Sequence, residues 1–317
     1  MLDTIGPKTI RVRLPATCGE LVQGTLGGEP CLVSCPIGWY GEVEVSVTAN
    51  TGWETPTACP KVSQAVRVAL ADRAPAGRAV GGRVRVRSAV PRGRGYGSST
   101  VDVAGTLYGV EAALTSTPPD PVTVGRLAVR VEPTDSTLAP GLALFAHRTA
   151  AFLEVLGPAP ALEVIVLDPG GEVDTEAFNR TLNLAALKRL APQHREAFAL
   201  LRDGIGSQDA EAVGQAATIS ALAHQAVLPN PLVEVACRLA RQVGALGVCR
   251  AHSGTLAGLL WNPTAGDVDD VAAWVARRLA GRVQVRVFPL VGGGPRFIGE
   301  EEQTWSQPWW WPEPTVA

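Results

Sequence analysis

The stretch PRGRGYGSSTVDVAGT, residues 91–106, places three glycines at alternate positions directly before two serines. Upstream, residues 83–87 (RVRVR) alternate charged and apolar side chains, which predicts a strand. Downstream, the mostly apolar run 101–114 has the spacing of a helix. A strand, a glycine-rich loop and a helix N-terminus can direct several backbone N–H groups at one anion. The stretch therefore predicts a loop that binds phosphate.

The same stretch also has a purely structural interpretation. Ser99 and Asp102 stand three residues apart, as in a helix capping box, and glycine loops join strands to helices in many inert folds. The loop is not a Walker A motif, because no Gly-Lys-Ser/Thr closes it, and its glycine spacing differs from the dinucleotide-binding fingerprint. On this stretch alone, both interpretations stay open.

The composition predicts a soluble globular protein of one large or two smaller domains. The chain has 317 residues and a formal net charge of -2, so no broad basic field indicates a nucleic-acid partner. No apolar stretch approaches the roughly 20 residues of a membrane helix, and the N-terminus lacks the apolar core of a secretory signal. The six cysteines form no CxxC pair and no zinc-like spacing with the four histidines. We therefore expect reduced thiols and a cytoplasmic location.

The first half of the chain has the pattern of an α+β domain. Prolines and glycines predict turns at 15–24 and 38–41, and the first of these carries Glu20 and Gln23 near a strand end, where such turns can line a ligand cleft. A surface position for Glu20 remains the alternative. The periodicity predicts strands over 9–14, 31–37, 42–47, 142–147 and 151–156, and helices over 60–73 and 122–129.

The second half has the pattern of a ferredoxin-like α+β layer. The periodicity predicts strands over 162–167, 248–252, 255–261 and 283–288, and helices over 175–190, 194–203, 208–224, 231–243 and 267–280. A Gly-Pro-Ala-Pro run at 157–160 predicts domains over 1–158 and 159–300, followed by a tail over 301–317. The tail holds four of the eight tryptophans, which suits either partner binding or packing against its own domain.

A compact polar cluster, EPTDST, occupies residues 132–137 between two apolar segments. Proline disfavours helix for the residue before it, so the carboxylates of Glu132 and Asp135 are expected on a structured turn. Asp, Ser and Thr also accumulate in turns for local hydrogen-bonding reasons. Taken alone, the cluster indicates a cap or a turn at least as well as a site.

Three segments together resemble the GHMP kinases, a family of small-molecule kinases. The loop at 91–100 resembles the family's P-x-x-x-G-x-G-S-S motif, the turn at 15–24 its first motif, and HSGTLAG at 252–258 its third. The resemblance implies an α+β fold with a ribosomal S5-like N-terminal domain, a ferredoxin-like C-terminal domain, and the active site between them. The first motif lacks the lysine that many members carry, so activation of a hydroxyl by lysine is not expected here.

The resemblance also implies the roles of individual residues. ATP is expected as phosphoryl donor with Mg²⁺ as cofactor, Ser99 and Glu132 as metal ligands, and Asp135 with Ser99 as catalytic residues. The expected substrate-binding residues are Glu20, Gln23, Asp135, Ser253, Gly254 and Thr255. The expected ATP-binding residues are Pro91, Gly93, Gly95, Tyr96, Gly97, Ser98, Ser99 and Thr100.

Within the family, PATCGELVQG, LVSCPIGWY, GSSTVDVAGT, EPTDST and AHSGT resemble the members that phosphorylate free L-threonine for the linker of cobalamin. Three alternatives remain open: a GHMP kinase for another small hydroxyl compound such as homoserine, a non-catalytic ATP-binding regulator, and a protein whose loop binds nothing. The expected partners are L-threonine and ATP, with neither nucleic acid nor membrane. A monomer and a homodimer are both compatible with the sequence.

Overall fold

A computed structural model describes residues 8–48, 52–73, 80–171, 184–251 and 253–298 of the chain. In these ranges, eleven strands form a single hydrogen-bonded sheet, which is antiparallel except where β3 meets β4. The strands are β1 (Lys8–Leu26), β2 (Glu29–Thr48), β3 (Trp53–Glu54), β4 (Gly81–Arg87), β5 (Leu142–Phe145), β6 (Leu153–Gly157), β7 (Glu163–Asp168), β8 (Gly247–Arg250), β9 (Ala257–Trp261), β10 (Gln284–Pro289) and β11 (Arg296–Ile298).

Helices lie between the strands in both halves of the chain, in agreement with the α+β prediction. They are α1 (Pro60–Arg73), α2 (Ser98–Thr115), α3 (Pro121–Ala128), α4 (Leu184–Arg189), α5 (Ala191–Ser207), α6 (Ala210–His224), α7 (Pro231–Val243) and α8 (Val268–Arg278). None of these helices is long and apolar enough to cross a membrane. The predicted tail over 301–317, His252 and most of the predicted helix over 175–190 lie outside the described residues.

Capping side chains fix where several helices begin. The carboxylate of Asp120 accepts a hydrogen bond from the N–H of Thr123 at 2.9 Å, and the side chain of Asn230 accepts one from the N–H of Leu232 at 3.0 Å. A proline follows each cap, and its fixed φ and missing N–H suit the first position of a helix. These local signals explain why the predicted helix over 231–243 is confirmed residue for residue.

The turns predicted at 15–24 and 38–41 are wrong, because both segments lie inside long strands. β1 and β2 pair along almost their whole length, from Lys8↔Val47 to Leu26↔Glu29. Register shifts beside Pro15 and between residues 17 and 22 absorb the irregular residues without reversing the chain. The polar residues of the first motif therefore lie on a bulged strand in the middle of the sheet.

The helix that follows the glycine-rich loop, α2, lies directly on the sheet. A Cβ atom on Gly105 would lie 2.7 Å from Cγ2 of Val43, and one on Gly109 would lie 2.5 Å from Cγ2 of Val45. Glycines at these positions therefore let α2 approach β2 more closely than any other residue would allow. This packing fixes the N-terminus of α2 relative to the sheet.

The two halves of the chain share the sheet, whose main strand order is β10-β7-β9-β8-β1-β2-β4-β3. α1, α2 and α3 pack with β1, β2 and β4 around one apolar core, and α7 and α8 pack with β7, β8 and β9 around another. The halves meet where Glu20 of β1 pairs with Arg250 of β8. The domain boundaries at 158 and 300 remain a prediction.

Candidate active site

Three glycines give the loop between β4 and α2 a backbone conformation that other residues rarely adopt. Gly93, Gly95 and Gly97 have φ angles of 70°, 103° and 68°. A Cβ atom on Gly95 would lie 2.4 Å from Cβ of Ala251, and one on Gly97 would lie 2.6 Å from Oδ2 of Asp135. The conformation favours glycine at all three positions, and the available space requires it at Gly95 and Gly97.

The loop opens onto a cleft between distant segments of the chain. The cleft joins β1, the start of α2 and the EPTDST turn, which are far apart in the sequence. Most of the predicted site residues meet there. The lining residues are Glu20, Leu32, Gly93, Gly95, Gly97, Ser98, Ser99, Thr100, Glu132, Pro133, Thr134, Asp135, His147 and Ser253.

Some predicted site residues are not part of the lining of the cleft. They are Gln23, Pro91, Tyr96, Gly254 and Thr255. The side chain of Gln23 is 1% exposed, and its backbone N–H donates a hydrogen bond to Oγ of Ser220 on α6 at 2.9 Å. Glu20, by contrast, lines the cleft although it is only 5% exposed.

Ser99 and Glu132 meet at the cleft. The Ser99 hydroxyl donates a hydrogen bond to Oε1 of Glu132, and Nζ of Lys61 lies 2.6 Å from Oε2 of the same carboxylate. Both oxygens of Glu132 are thus engaged by side chains from α2 and α1. This arrangement holds the carboxylate beside the helix N-terminus.

The capping-box interpretation of Ser99 and Asp102 is wrong. α2 begins at Ser98, so Ser99 is its second residue, and no side chain caps the helix. The carboxylate of Asp102 instead accepts a hydrogen bond from Nη2 of Arg92 at 2.6 Å. Burial raises the pKa of Asp102, and the charge of Arg92 partly offsets that rise.

Asp135 lies against the loop and is held by Thr100. The Thr100 hydroxyl donates to Oδ2 of Asp135 at 3.1 Å and accepts the backbone N–H of Asp135 at 3.0 Å. Burial raises the pKa of Asp135 to about 6; the Thr100 hydrogen bond opposes this rise, and the charge of Glu132 adds to it. The carboxyl group can therefore exchange a proton near neutral pH.

A pair of serines fixes the turn that carries Asp135. The backbone N–H of Ser34 donates to Oγ of Ser136 at 2.9 Å, and the N–H of Ser136 donates to Oγ of Ser34 at 3.0 Å. Ser34 belongs to β2, so this reciprocal pair ties the turn to the middle of the sheet. The position of Asp135 is thereby set by α2 and by β2 together.

The first motif supports the loop from behind. The backbone N–H of Thr17 donates to the carbonyl of Tyr96 at 2.9 Å, and that of Gly19 donates to the carbonyl of Gly95 at 3.2 Å. These bonds occupy carbonyl groups of the loop and connect it to β1. The loop is therefore anchored to the central strand of the sheet.

The third motif supports the same loop from a different side. The N–H groups of Thr255 and Leu256 donate to the carbonyl of Arg94 at 3.0 and 3.3 Å. A Cβ atom on Gly254 would lie 2.3 Å from that carbonyl oxygen, so the close approach requires glycine. Ser253 alone of residues 253–255 reaches the cleft lining.

Sequence reasoning missed several residues of this region: Lys61, Arg92, Asp102, Thr134 and His147. Lys61 and Glu132 are 71 positions apart, so no local pattern connects them. Thr134 lies within the polar cluster that drew attention to its neighbours, and its N–H donates to the carbonyl of His147 at 3.0 Å. The cluster was thus a signal for Thr134.

The pair formed by Ser99 and Glu132 suits a hard cation. Mg²⁺ prefers oxygen ligands and usually takes only one or two carboxylates together with substrate phosphates and water. Within the described ranges, no group of three or more His, Cys, Asp or Glu side chains is placed to hold a metal ion. The available oxygens therefore fit a Mg²⁺ that arrives with a phosphate ligand better than an all-protein metal site.

Comparison with known proteins identifies the family. The model of the GHMP kinases N terminal domain matches residues 61–143. An L-threonine kinase from Salmonella typhimurium is 33% identical over 294 residues, which are 92% of this chain and 97% of the relative. An L-threonine kinase from Citrobacter freundii is 34% identical over 255 residues, 80% of this chain and 87% of the relative.

The solved structures agree with the sequence comparisons. The crystal structure of a homoserine kinase from Cytophaga hutchinsonii superposes with a TM-score of 0.65 at 19% identity, covering 92% of this chain and 97% of that one. This likeness establishes the fold and confirms the α+β prediction. Together with the relatives above 30% identity, it shows that the chain belongs to the GHMP kinase family.

Proposed function

We propose that the chain transfers the γ-phosphoryl group of ATP to the side-chain hydroxyl of L-threonine, giving ADP and O-phospho-L-threonine. The observation that carries this proposal is the contact between the glycine-rich loop and Asp135 in one cleft. The loop provides a site for an anion, and the carboxyl group provides a proton acceptor beside it. The two L-threonine kinases that cover most of the chain support the choice of substrate.

The loop and the start of α2 would bind the phosphates of ATP. Backbone N–H groups at a helix N-terminus and its positive dipole end favour a negative charge there. Gly93, Gly95, Gly97, Ser98 and Thr100 line the cleft at this end. Pro91 and Tyr96, which do not line the cleft, would shape the loop rather than contact the nucleotide.

Asp135 would accept the proton of the threonine hydroxyl. The hydroxyl oxygen then forms a bond to the γ-phosphorus, the bond from that phosphorus to the β,γ-bridging oxygen breaks, and ADP leaves with the bonding electrons. A carboxyl group whose pKa is about 6 is ionised at neutral pH and is a stronger base than an ordinary aspartate. Thr100 orients it toward the cleft.

Ser99 and Glu132 would hold Mg²⁺ through the hydroxyl and carboxylate oxygens. When bound, the ion supplies neutralisation of the charge on the β- and γ-phosphates. Lys61 contributes a fixed positive charge to the same corner of the cleft through its ion pair with Glu132. Removal of any of these groups would leave phosphate charge less well compensated.

Glu20 and Ser253 would contact the amino-acid substrate. Free threonine carries an ammonium and a carboxylate, and a selective pocket must satisfy both. Glu20 offers the negative charge for the ammonium, and Ser253 offers a hydroxyl in the same cleft. Gln23, Gly254 and Thr255 would act indirectly, by supporting β1 and the loop.

The test of this proposal is ADP release with Mg-ATP and a panel of L-threonine, L-serine, L-homoserine and mevalonate. Threonine-dependent turnover that falls at least about a hundredfold in Asp135→Asn and Ser99→Ala is expected. Asp209→Asn, which alters a carboxylate that caps α6, serves as the control and should retain turnover. Turnover with homoserine alone would show that homoserine, not threonine, is the substrate. Nucleotide binding without turnover on any compound would indicate a regulator.

The cellular setting follows from the same proposal. All six cysteines are free thiols, which suits the reducing cytoplasm. By resemblance to the members that act on threonine, the phosphorylated product would supply the aminopropanol linker of cobalamin. A strain that lacks the protein should still synthesise cobalamin when O-phospho-L-threonine is added, and that result would support this role.

A further inference from the structure

The glycine-rich loop has a second side, which faces away from the cleft. In the order Gly93-Arg94-Gly95-Tyr96-Gly97, the three glycines line the cleft, whereas Arg94 and Tyr96 do not. Both side chains instead meet the carboxylate of Asp168. Alternate residues of the loop thus have different roles. The glycines line the proposed phosphate site, and Arg94 and Tyr96 attach the loop to Asp168.

Asp168 is the last residue of β7, in the second half of the chain. Its Oδ2 accepts hydrogen bonds from Nη1 of Arg94 at 3.1 Å and from the hydroxyl of Tyr96 at 3.2 Å. Its Oδ1 accepts the backbone N–H of Gly170 at 2.8 Å. The residue is only 2% exposed, so its carboxylate depends on these partners for the hydrogen bonds that water would otherwise supply.

Tyr96 is buried against an aromatic floor. Its ring lies 5.3 Å from the ring of Trp39 in an edge-on arrangement, and Trp39 stacks on Phe288 of β10 at the same distance. Burial, followed by the charge of Asp168, raises the pKa of the Tyr96 phenol, which therefore stays protonated and donates its hydrogen bond. The loop is thus fixed by packing as well as by charge.

We propose that Asp168 is a positioning residue for nucleotide binding. It holds Arg94 and Tyr96 on either side of Gly95, and so keeps Gly93, Gly95 and Gly97 in the left-handed conformations with which they line the cleft. Without this attachment, a loop rich in glycine has many conformations available and loses more entropy when it closes on a phosphate. The proposal deepens the proposed kinase function, because it names what prepares the ATP site.

Asp168 does not line the cleft, so its effect should separate the two substrates. The KM for ATP should rise when the attachment is lost, whereas the KM for threonine should change much less, because the hydrogen bonds of Asp168 to Arg94 and Tyr96 act on the glycine-rich loop. A purely structural role for Asp168 would lower the amount of folded protein without changing either KM. This split distinguishes positioning from general stability.

The experiment compares Asp168→Asn, Arg94→Gln and Tyr96→Phe with the unaltered chain. Affinity for a non-hydrolysable ATP analogue with Mg²⁺ is measured by isothermal titration calorimetry, alongside the KM values for ATP and threonine. We expect Asp168→Asn and Arg94→Gln each to weaken analogue binding about tenfold, with a smaller effect for Tyr96→Phe. The double variant Arg94→Gln/Asp168→Asn should bind the analogue at most about twofold more weakly than the weaker-binding single variant. The two losses should not add, because the two residues act as one pair.

Glu154→Gln is the matched control. Glu154 and Arg202 form another Arg–carboxylate pair, between β6 and α5, but both side chains are about half exposed and neither lines the cleft. Its analogue affinity should equal that of the unaltered chain. The control excludes a general effect of removing an ion pair.

Unchanged analogue affinity in folded Asp168→Asn and Arg94→Gln, judged by circular dichroism, would overturn the proposal. If Asp168→Asn does not fold, Arg94→Gln and Tyr96→Phe decide the question, because both leave Asp168 in place. Analogue binding by the unaltered chain without threonine turnover would defeat the proposed function and leave this test intact. Turnover with variants that bind normally would defeat this proposal and leave the function intact.

Discussion

Thr100 and Asp135 exchange two hydrogen bonds in the lining of the cleft: the Thr100 hydroxyl donates to the carboxylate at 3.1 Å and accepts the backbone N–H of Asp135 at 3.0 Å. Thr100 is the third residue of α2, so the same helix that would receive the phosphates also orients the proton acceptor. Any displacement of the helix start would move both groups together. Phosphate binding and proton transfer are thereby coupled through one hydroxyl.

Thr100→Val should shift the pH dependence of catalysis. The Thr100 hydrogen bond favours the ionised carboxylate, and its loss raises the pKa of Asp135 above its value of about 6. Because the base must be ionised, the acidic limb of kcat/KM should move to higher pH by about one unit. Thr100→Ser, which retains a hydroxyl, is the control. An acidic limb at the same pH in Thr100→Val would show that another group is titrating.

Asp135→Asn should stabilise the fold at pH 8 while removing activity. The folded-state pKa of about 6 lies above the ordinary aspartate value, so ionisation costs the folded state more than the unfolded state. The cost is absent below about pH 4, grows between the two pKa values, and is complete above about pH 6. A gain on the order of 3 kcal/mol in the free energy of unfolding at pH 8 is expected, measured by urea denaturation at pH 4 and 8. An equal effect at both pH values would contradict this account.

Gly97→Ala should lower activity strongly, because the added Cβ would meet Oδ2 of Asp135 at 2.6 Å and Cγ2 of Thr17 at 2.9 Å. Gly27 provides the control: its φ of 58° is similar, but a Cβ there meets nothing within 4 Å. Both substitutions carry a cost of about 1 kcal/mol for a left-handed conformation. Only Gly97→Ala should also lower kcat/KM, by about a hundredfold or more. Equal turnover in the two variants would place the phosphate elsewhere.

Glu132→Gln should raise the Mg²⁺ concentration needed for half-maximal turnover by about tenfold, because it removes the charged oxygen of the proposed metal site. Saturating Mg²⁺ should restore part of kcat, since the Ser99 hydroxyl remains. Glu44→Gln is a suitable control, because that carboxylate is also buried and paired with arginines but lies on the sheet away from the cleft. An unchanged Mg²⁺ requirement in Glu132→Gln would assign Glu132 to the support of Ser99 and Lys61 alone.

The sequence predicts those parts of the fold that local chemistry determines. The helix over 231–243 follows from the Asn230 cap and its proline, and the glycine-rich loop follows from its own composition. The turns at 15–24 and 38–41 were wrong because proline and glycine also occur in bulged strands. Only the pairing of β1 with β2, a long-range contact, distinguishes the two cases.

The same limit applies to the site. Asp135, Ser99 and the glycines come from contiguous motifs, and the structure brings them into one cleft. In contrast, Lys61 is 71 positions away in the sequence from its partner Glu132. Asp168 is 72 positions away from its partner Tyr96. Their roles depend on how the sheet places distant segments together, and no periodicity of the chain encodes that placement.

Arg92→Met should destabilise the fold in a pH-dependent manner. Arg92 pairs at 2.6 Å with Asp102, whose side chain is 4% exposed, so its loss leaves a buried charge. The folded-state pKa of Asp102 is already raised by burial and rises further without Arg92, so the loss is greatest above that pKa and fades as the pH falls toward about 4. A loss of about 1–3 kcal/mol at pH 8 is expected from chemical denaturation.

Arg83→Met is the control for this last effect, since Arg83 pairs with Glu54 at the same 2.6 Å but both side chains are exposed. Exposed pairs contribute little, so this variant should unfold like the unaltered chain at both pH values. Asp102→Asn combined with Arg92→Met should recover part of the stability, because the buried charge is then absent. Equal losses in Arg92→Met and Arg83→Met, or no recovery in the double variant, would show that burial of Asp102 is not what makes the pair matter.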